Sequence, residues 1–282
     1  MKRLAALLPI AALVVAGACG GSDSEATAEE KILLASADRM AESSGFRFES
    51  TTSVQRSNES PVEVRSTGAV DRANDLISLD ADLANLPGLG LAGRTTILFD
   101  GRSAYYRTPE AMVEQVGKPW VRMGFDYLAK AAGGSVDDLR SQFERANPVL
   151  NVVIAAVAAT DVTEVGPAVV RGVPTTHFKM ALDLDTAAEE APRNARGALA
   201  QLAETTGDGD HRAEIWLGED GLPRRLVSTL DVTGTTAGSP TGVDLHIELF
   251  DYGIPLGLAV PAAGDTADAA QLIARGPAKP TG

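Results

Sequence analysis

Polar and apolar residues alternate in twelve segments of this chain, which predicts strands with one buried face. In the first stretch Phe46, Phe48 and Val54 alternate with polar neighbours such as Arg47 and Glu49. The first half carries this pattern at 46–54, 62–68, 77–83, 95–99, 104–108 and 120–123. The second half carries it at 162–165, 169–173, 175–184, 211–217, 224–232 and 243–252. Asp100-Gly101 between two of these runs is typical of a hairpin turn.

Helical spacing interrupts the strands in four places. Residues 28–43 place Ile32, Leu33, Ala37 and Met40 at helical spacing. Residues 136–145 and the Ala-rich 186–204 also favour helix. Pro148 opens the fourth segment at a position where proline is tolerated. Residues 149–158 are so apolar that we expect this helix to be buried nearly all round.

Long runs of strands with helices inserted between them predict an α+β fold. We expect a large, mostly antiparallel sheet whose helices cover one face. The domain is predicted to span residues 31–261 as a single unit, and 262–282, rich in small residues and proline, to form a disordered tail.

The N-terminus has the three parts of a secretory signal. Lys2 and Arg3 are positive, an apolar run follows from Leu4 to Val15, and small residues precede Cys19. The apolar run is shorter than the roughly 20 residues of a spanning helix. We therefore predict a signal peptide over residues 1–18 and a flexible tether over 19–30.

Cys19 decides between two ways of processing this signal. Ala16-Gly17-Ala18 also fits an ordinary cleavage site, which would release an unanchored protein. Because Cys19 is the one cysteine of the chain, it has no partner for a disulfide. Its position is explained if it accepts a lipid, so we predict a lipoprotein anchored at Cys19 on the extracytoplasmic face of the membrane.

Composition excludes several classes of function. The formal charge of −13 becomes −15 without Lys2 and Arg3, which argues against nucleic acid as a partner. Neither a G-x-S-x-G nor an H-E-x-x-H motif occurs, so no enzyme activity, cofactor or metal is predicted. His177, His211 and His246 are predicted to be surface or half-buried strand residues, and Asp208 to His211 to be a solvated turn.

Several segments together resemble a known family. They are Pro119 to Arg122, Val165-Gly166, Val170 to Phe178, Ile215 to Arg225, and Asp251 to Gly253. With the signal and the opening helix, they resemble the actinobacterial LppX/LprG-like lipoproteins, whose fold is similar to that of LolA and LolB. The resemblance covers most of the mature chain, and an acidic, Ala-rich insert around 186–210 departs from it. It implies a curved sheet, like a half-barrel, with helices covering its concave face.

The resemblance also implies a carrier of lipid or glycolipid acyl chains, held between sheet and helices. Apolar positions of the two middle helices are the predicted cavity lining: Leu139, Phe143, Leu150, Val153, Ile154 and Val157. The alternative for each is ordinary packing on the sheet. The predicted partners are the membrane, an envelope lipid and a membrane transporter. An envelope interaction or assembly module without a ligand is the second hypothesis.

Overall fold

The structure is a computed structural model that describes residues 26–58, 60–82, 93–132, 135–136, 148–190, 193–207, 209–232 and 240–275. The first helix, α1, spans Ala28–Glu42. Its N-terminus is closed by a capping box, in which the Glu30 amide donates to the Thr27 hydroxyl (3.2 Å) and the Thr27 amide to the Glu30 carboxylate (2.8 Å). The helix therefore begins inside the predicted tether and shortens it.

The described residues form twelve strands, of which all but the last carry the alternation read from the sequence. The first six are β1 Gly45–Arg56, β2 Val62–Asp71, β3 Leu76–Asp82, β4 Arg94–Phe99, β5 Ser103–Arg107 and β6 Trp120–Gly124. The others are β7 Ala159–Val170, β8 Val173–Leu182, β9 Arg212–Gly218, β10 Pro223–Asp231, β11 Pro240–Phe250 and β12 Thr266–Asp268.

All twelve strands join one open sheet in the order β12-β6-β5-β4-β3-β2-β1-β11-β10-β9-β8-β7. Every neighbouring pair is antiparallel except β12 and β6. Strands β1 and β11 pair at the centre, so the beginning and the end of the domain are held together there.

Six further helices lie within the described residues. They are α2 Glu110–Val116, α3 Phe125–Ala132, α4 Pro148–Val157, α5 Leu184–Glu190, α6 Arg193–Thr206 and α7 Ala269–Arg275. Helices α1, α4, α5 and α6 share a hydrophobic core with Phe48, Leu226 and Ile247, which define the inner face of the sheet. Helix α3 packs on the same face through Phe125, against Ala81 and Phe99. The predicted α+β fold, with a large antiparallel sheet and helices on one face, is confirmed.

The predicted tail is wrong as far as Arg275. After Phe250 the chain turns back, and Leu258 packs on Leu76, Leu98, Tyr105 and Trp120 of the opposite, outer face. Strand β12 then pairs with β6, and Arg122 forms an ion pair with Asp268 (3.2 Å). Long-range pairing orders this segment, although its composition of small residues gives no local signal.

Tyr252 fixes the start of this returning segment, and its phenol makes the stability of the domain pH-dependent in the alkaline range. Its hydroxyl donates to the carbonyl of Pro223 (2.7 Å), and its ring lies 5.3 Å from that of Phe46. Burial raises the pKa of the Tyr252 phenol above its ordinary value of 10.0. The folded state therefore keeps this proton at a pH where the unfolded chain releases it.

We expect the stabilisation from neutral Tyr252 to be fully present below about pH 10 and to fall as the pH rises above it. Tyr252→Phe should cost about 1 kcal/mol at neutral pH, because the Pro223 carbonyl loses its donor. The free energy of unfolding of the variant should also fall less steeply with pH above about pH 10. Urea unfolding of both proteins at a series of pH values from neutral to alkaline measures their free energies of unfolding. If these fall equally steeply with pH in both proteins, the assignment to Tyr252 is wrong.

Candidate functional site

The inner face of the sheet changes from fully buried to half-buried side chains along the neighbouring strands β2, β1, β11 and β10. At one end Phe46, Phe48, Leu226, Ile247 and Leu249 are fully buried, with at most 2% of each side chain exposed. These side chains fill the space between sheet and helices. This end of the sheet is therefore an ordinary packed core.

Farther along the same strands the inner side chains are only half-buried. Ser50 lies opposite Ser66 and Ile247, and in the next row Thr52 lies opposite Val64 and Leu245. We call these positions the half-buried band: Ser50, Thr52, Val54, Val62, Val64, Ser66, Ser228, Leu230, Val243 and Leu245. Most of its side chains are apolar, so the band offers apolar surface that the core does not use.

Helix α4 presents a matching apolar stripe. Leu150, Val153, Ile154 and Val157 are spaced i, i+3, i+4 and i+7, which places them on one side of the helix. All four are half-buried and adjoin the same core as Leu230 and Leu245 of the band. The buried side of the helix carries Val149, Val152, Ala155 and Ala156. The expectation that α4 is buried nearly all round is therefore wrong, because only one side reaches full burial.

The predicted site residues thus divide into two groups. Leu150, Val153, Ile154 and Val157 lie together on one stripe of α4. Leu139, Phe143 and the predicted lipidation site Cys19 lie outside the residues that the structure describes.

The band also contains a polar contact that the sequence analysis did not single out. The hydroxyls of Ser50 and Ser66 lie 2.6 Å apart across β1 and β2 and are partly buried. Thr52 and Ser228 add hydroxyls in the next row, on either side of Leu245. Alternation assigns these residues to a face, but only the pairing of the strands brings the hydroxyls together.

The outer face carries a continuous polar and aromatic network. Trp216 lies between His177, whose ring stacks on it at 4.2 Å, and Arg225, whose guanidinium lies 5.2 Å from its centroid. His177 contacts Glu214 (2.7 Å), and Arg225 forms an ion pair with Glu248 (2.6 Å). Because neighbours on both adjacent strands cover Trp216, its ring stabilises the sheet rather than offering a stacking surface.

This network continues toward the centre of the sheet. Arg171 pairs with Glu49 (2.9 Å) and Glu248 (3.2 Å) and lies over the ring of Phe250 at 4.0 Å. Next to it is an open groove of about 440 Å³, whose charged and histidine side chains are Glu49, Arg65, Arg94, His246 and Glu248. Acidic and basic groups alternate there, so the groove favours no single charge of ligand.

The histidines do not form a site together. His177 is half-buried and His246 is exposed, as predicted, but His211 is buried, with 5% of its surface exposed. A ring nitrogen of His211 lies 2.9 Å from the carbonyl of Gly207, so this histidine is packed, whereas Asp210 beside it is exposed. Within the described residues, no cluster of three or more His, Cys, Asp or Glu side chains could hold a metal ion.

The described part of the chain includes no helix that is both long enough and apolar enough to cross a bilayer.

Comparison with known sequences gives one curated relative. It is the uncharacterized 31.2 kDa protein of the rplA–rplJ intergenic region of Streptomyces griseus, 30% identical over 183 residues. The match covers 62% of this chain and 57% of the relative, so this chain matches somewhat more than half of that protein's length. No protein-family model matches the chain.

Comparison with solved structures gives, among others, two mycobacterial proteins and one LolA superfamily protein. Lipoprotein LppX of Mycobacterium tuberculosis is 12% identical with a TM-score of 0.46, covering 82% of this chain and 98% of LppX. LprF of Mycobacterium bovis is 12% identical with a TM-score of 0.46, covering 83% and 97%. A LolA superfamily protein of Nitrosomonas europaea is 9% identical with a TM-score of 0.28, covering 84% and 96%.

Proposed function

We propose that this chain is an envelope lipoprotein that binds the acyl chains of a lipid or glycolipid between the half-buried band and helix α4. The observation that carries the proposal is that two apolar surfaces, both only half-buried, adjoin the same hydrophobic core. Ordinary core residues on the same strands, such as Ile247 and Leu249, are at most 2% exposed. An acyl chain placed between the two surfaces would bury them from water, which contributes about 25 cal/mol per Å² of apolar area.

The proposed lipid anchor would keep such a carrier at the membrane surface. A lipid on Cys19 would hold the domain at the extracytoplasmic face of the membrane, through the few residues that separate Cys19 from Thr27. The ligand would then be a lipid of the same envelope, and a membrane transporter could supply it or receive it. Transfer, rather than chemistry on the lipid, is the proposed activity.

The test is to identify a lipid that copurifies with the protein. The full chain carrying Cys19→Ser is expressed in an actinobacterial host, and native mass spectrometry and lipid extraction are applied to the purified product. We expect one amphiphile bound in stoichiometric amount. A protein without bound lipid, which also takes up no added phospholipid or glycolipid, would overturn the proposal.

A charged residue in the stripe should remove that lipid. Val153→Asp places a carboxylate on the half-buried side of α4, where an acyl chain would desolvate it at a cost of several kcal/mol. We expect the copurifying lipid to fall at least tenfold. The matched control is Val169→Asp on β7, where 66% of the valine is exposed and lipid should remain bound. Equal lipid content in both variants would place the ligand elsewhere.

A specific observation also supports the second candidate, an interaction module without a ligand. Strand β7 is an edge of the sheet and carries two exposed valines, Val165 and Val169, with exposures of 53% and 66%. Exposed apolar residues on an edge strand favour contact with another protein. Under this candidate Val169→Asp would abolish a protein contact, whereas Val153→Asp would leave it intact.

A further inference from the structure

The hydroxyls of the half-buried band form a local group within an apolar face. On the inner face, every second residue points inward from 46 to 54 in β1, 62 to 70 in β2, 226 to 230 in β10 and 243 to 249 in β11. None of these inward side chains is charged. Four of them carry hydroxyls: Ser50, Thr52, Ser66 and Ser228. All four lie in two adjacent rows of the band, whereas the neighbouring core row contains Phe48 and Leu249.

The pair formed by Ser50 and Ser66 has hydrogen-bonding capacity to spare. Two hydroxyls supply two donor hydrogens, and the contact between their oxygens at 2.6 Å uses one of them. The second hydrogen is free to be donated to an acceptor placed above the strands. Ile247 and Ala81, the next residues across on either side, have apolar side chains and cannot accept it.

We infer that Ser50 and Ser66 donate a hydrogen bond to the ester carbonyl of the bound acyl chain, so that the ligand class is an acyl ester. This inference rests on the proposed function. A carbonyl oxygen that enters an apolar cavity loses its hydrogen bonds to water, and it is costly to leave it without a donor. The serine pair supplies that donor, while the valines and leucines of the band contact the hydrocarbon.

The same residues argue against a free fatty acid as the preferred ligand. A buried carboxylate requires a cationic partner or several donors, and the inner positions named above offer hydroxyls without a lysine or arginine. A neutral ester carbonyl needs one donor, which the pair provides. The band therefore matches an ester in charge and in number of hydrogen bonds.

The test compares an ester with an ether that has the same hydrocarbon chains. Equal amounts of dipalmitoyl phosphatidylglycerol and its dihexadecyl ether analogue compete for the full chain carrying Cys19→Ser, and native mass spectrometry measures the ratio bound. One hydrogen bond of about 1 kcal/mol corresponds to about fivefold. We expect the ester to be preferred about fivefold, and Ser50→Ala/Ser66→Ala to reduce this preference to about one by weakening ester binding alone.

Two control variants separate binding from folding. Ser53→Ala removes a hydroxyl from the outer face of β1 and should keep the ester preference. Ser50→Cys/Ser66→Cys keeps side chains of similar size whose thiols are only weak donors, and it serves if the double alanine variant melts far below the parent. An ester and an ether that bind equally, or a preference that persists without the serines, would overturn the inference while the carrier proposal stands. Failure of both lipids to bind would overturn the carrier proposal and the inference with it.

Discussion

Gly68→Ala is expected to destabilise the domain by about 3 kcal/mol, because a side chain at this position overpacks the core. A Cβ atom on Gly68 would lie 2.3 Å from the carbonyl oxygen of Ser78 and 2.5 Å from Cζ of Phe48. The ring of Phe48 lies against β2 at this point, and only a glycine leaves room for it. Neither neighbour can yield cheaply, since Ser78 contributes backbone of β3 and Phe48 is only 2% exposed.

Equilibrium urea unfolding measures this loss, with Gly124→Ala as the matched control. Gly124 ends strand β6, and no atom lies within 4 Å of a Cβ built there. Its replacement should change the free energy of unfolding by less than about 0.5 kcal/mol. If both alanine variants unfold at the same urea concentration as the parent, the close packing of Phe48 on Gly68 is wrong.

The sequence predicts the strands well wherever alternation is uninterrupted. In β8 it assigns His177 and Lys179 to one face and Phe178 and Met180 to the other, and the structure buries both apolar residues and exposes Lys179. Strand β7 shows the limit of this signal. It was predicted as two short strands, but it is one strand with two register shifts, near Asp161 and Gly166. A bulge changes which face each later residue points to, so one strand looks like two.

The sequence pattern does not predict helices α2 and α3 or strand β12. Helix α2 has no buried residue, and α3 and the segment that ends in β12 are short. A short helix lacks the repeats that make periodicity detectable, and β12 exists because its three residues pair with β6, which lies more than a hundred positions earlier in the chain.

Only one of the two surfaces of the candidate site, the stripe on α4, could be predicted from the sequence. Helical spacing indicated the stripe at Leu150, Val153, Ile154 and Val157, since four apolar residues on one side of a helix are visible in a single segment. The sheet half of the site was not visible, because alternation gives the face of a residue and not its depth. Phe48 and Ser50 follow the same pattern, yet only the first is fully buried.

Cys19→Ser is expected to move the protein from the membrane fraction to the soluble fraction almost completely. Lipid on Cys19 is the proposed anchor, and each buried methylene of an acyl chain contributes about 0.8 kcal/mol, so two chains hold a protein stably. Without them we expect no comparable attachment, since the acidic composition of the chain does not favour binding to anionic headgroups. Fractionation, with detergent phase partition of each fraction, measures the change.

The position of the thiol, and not its presence alone, should determine the anchor. Small residues precede Cys19 directly, whereas Ser22 follows two glycines and lies three positions farther on. Cys19→Ser combined with Ser22→Cys therefore restores a thiol to the tether but should leave the protein soluble, and mass spectrometry of the N-terminal peptide should find lipid on the parent protein alone. If Cys19→Ser stays in the membrane fraction although residues 1–18 have been removed, the domain itself binds the bilayer or a membrane protein. The half-buried band and the valines of β7 would then be the surfaces to test for that contact, because both offer apolar area that the core does not use.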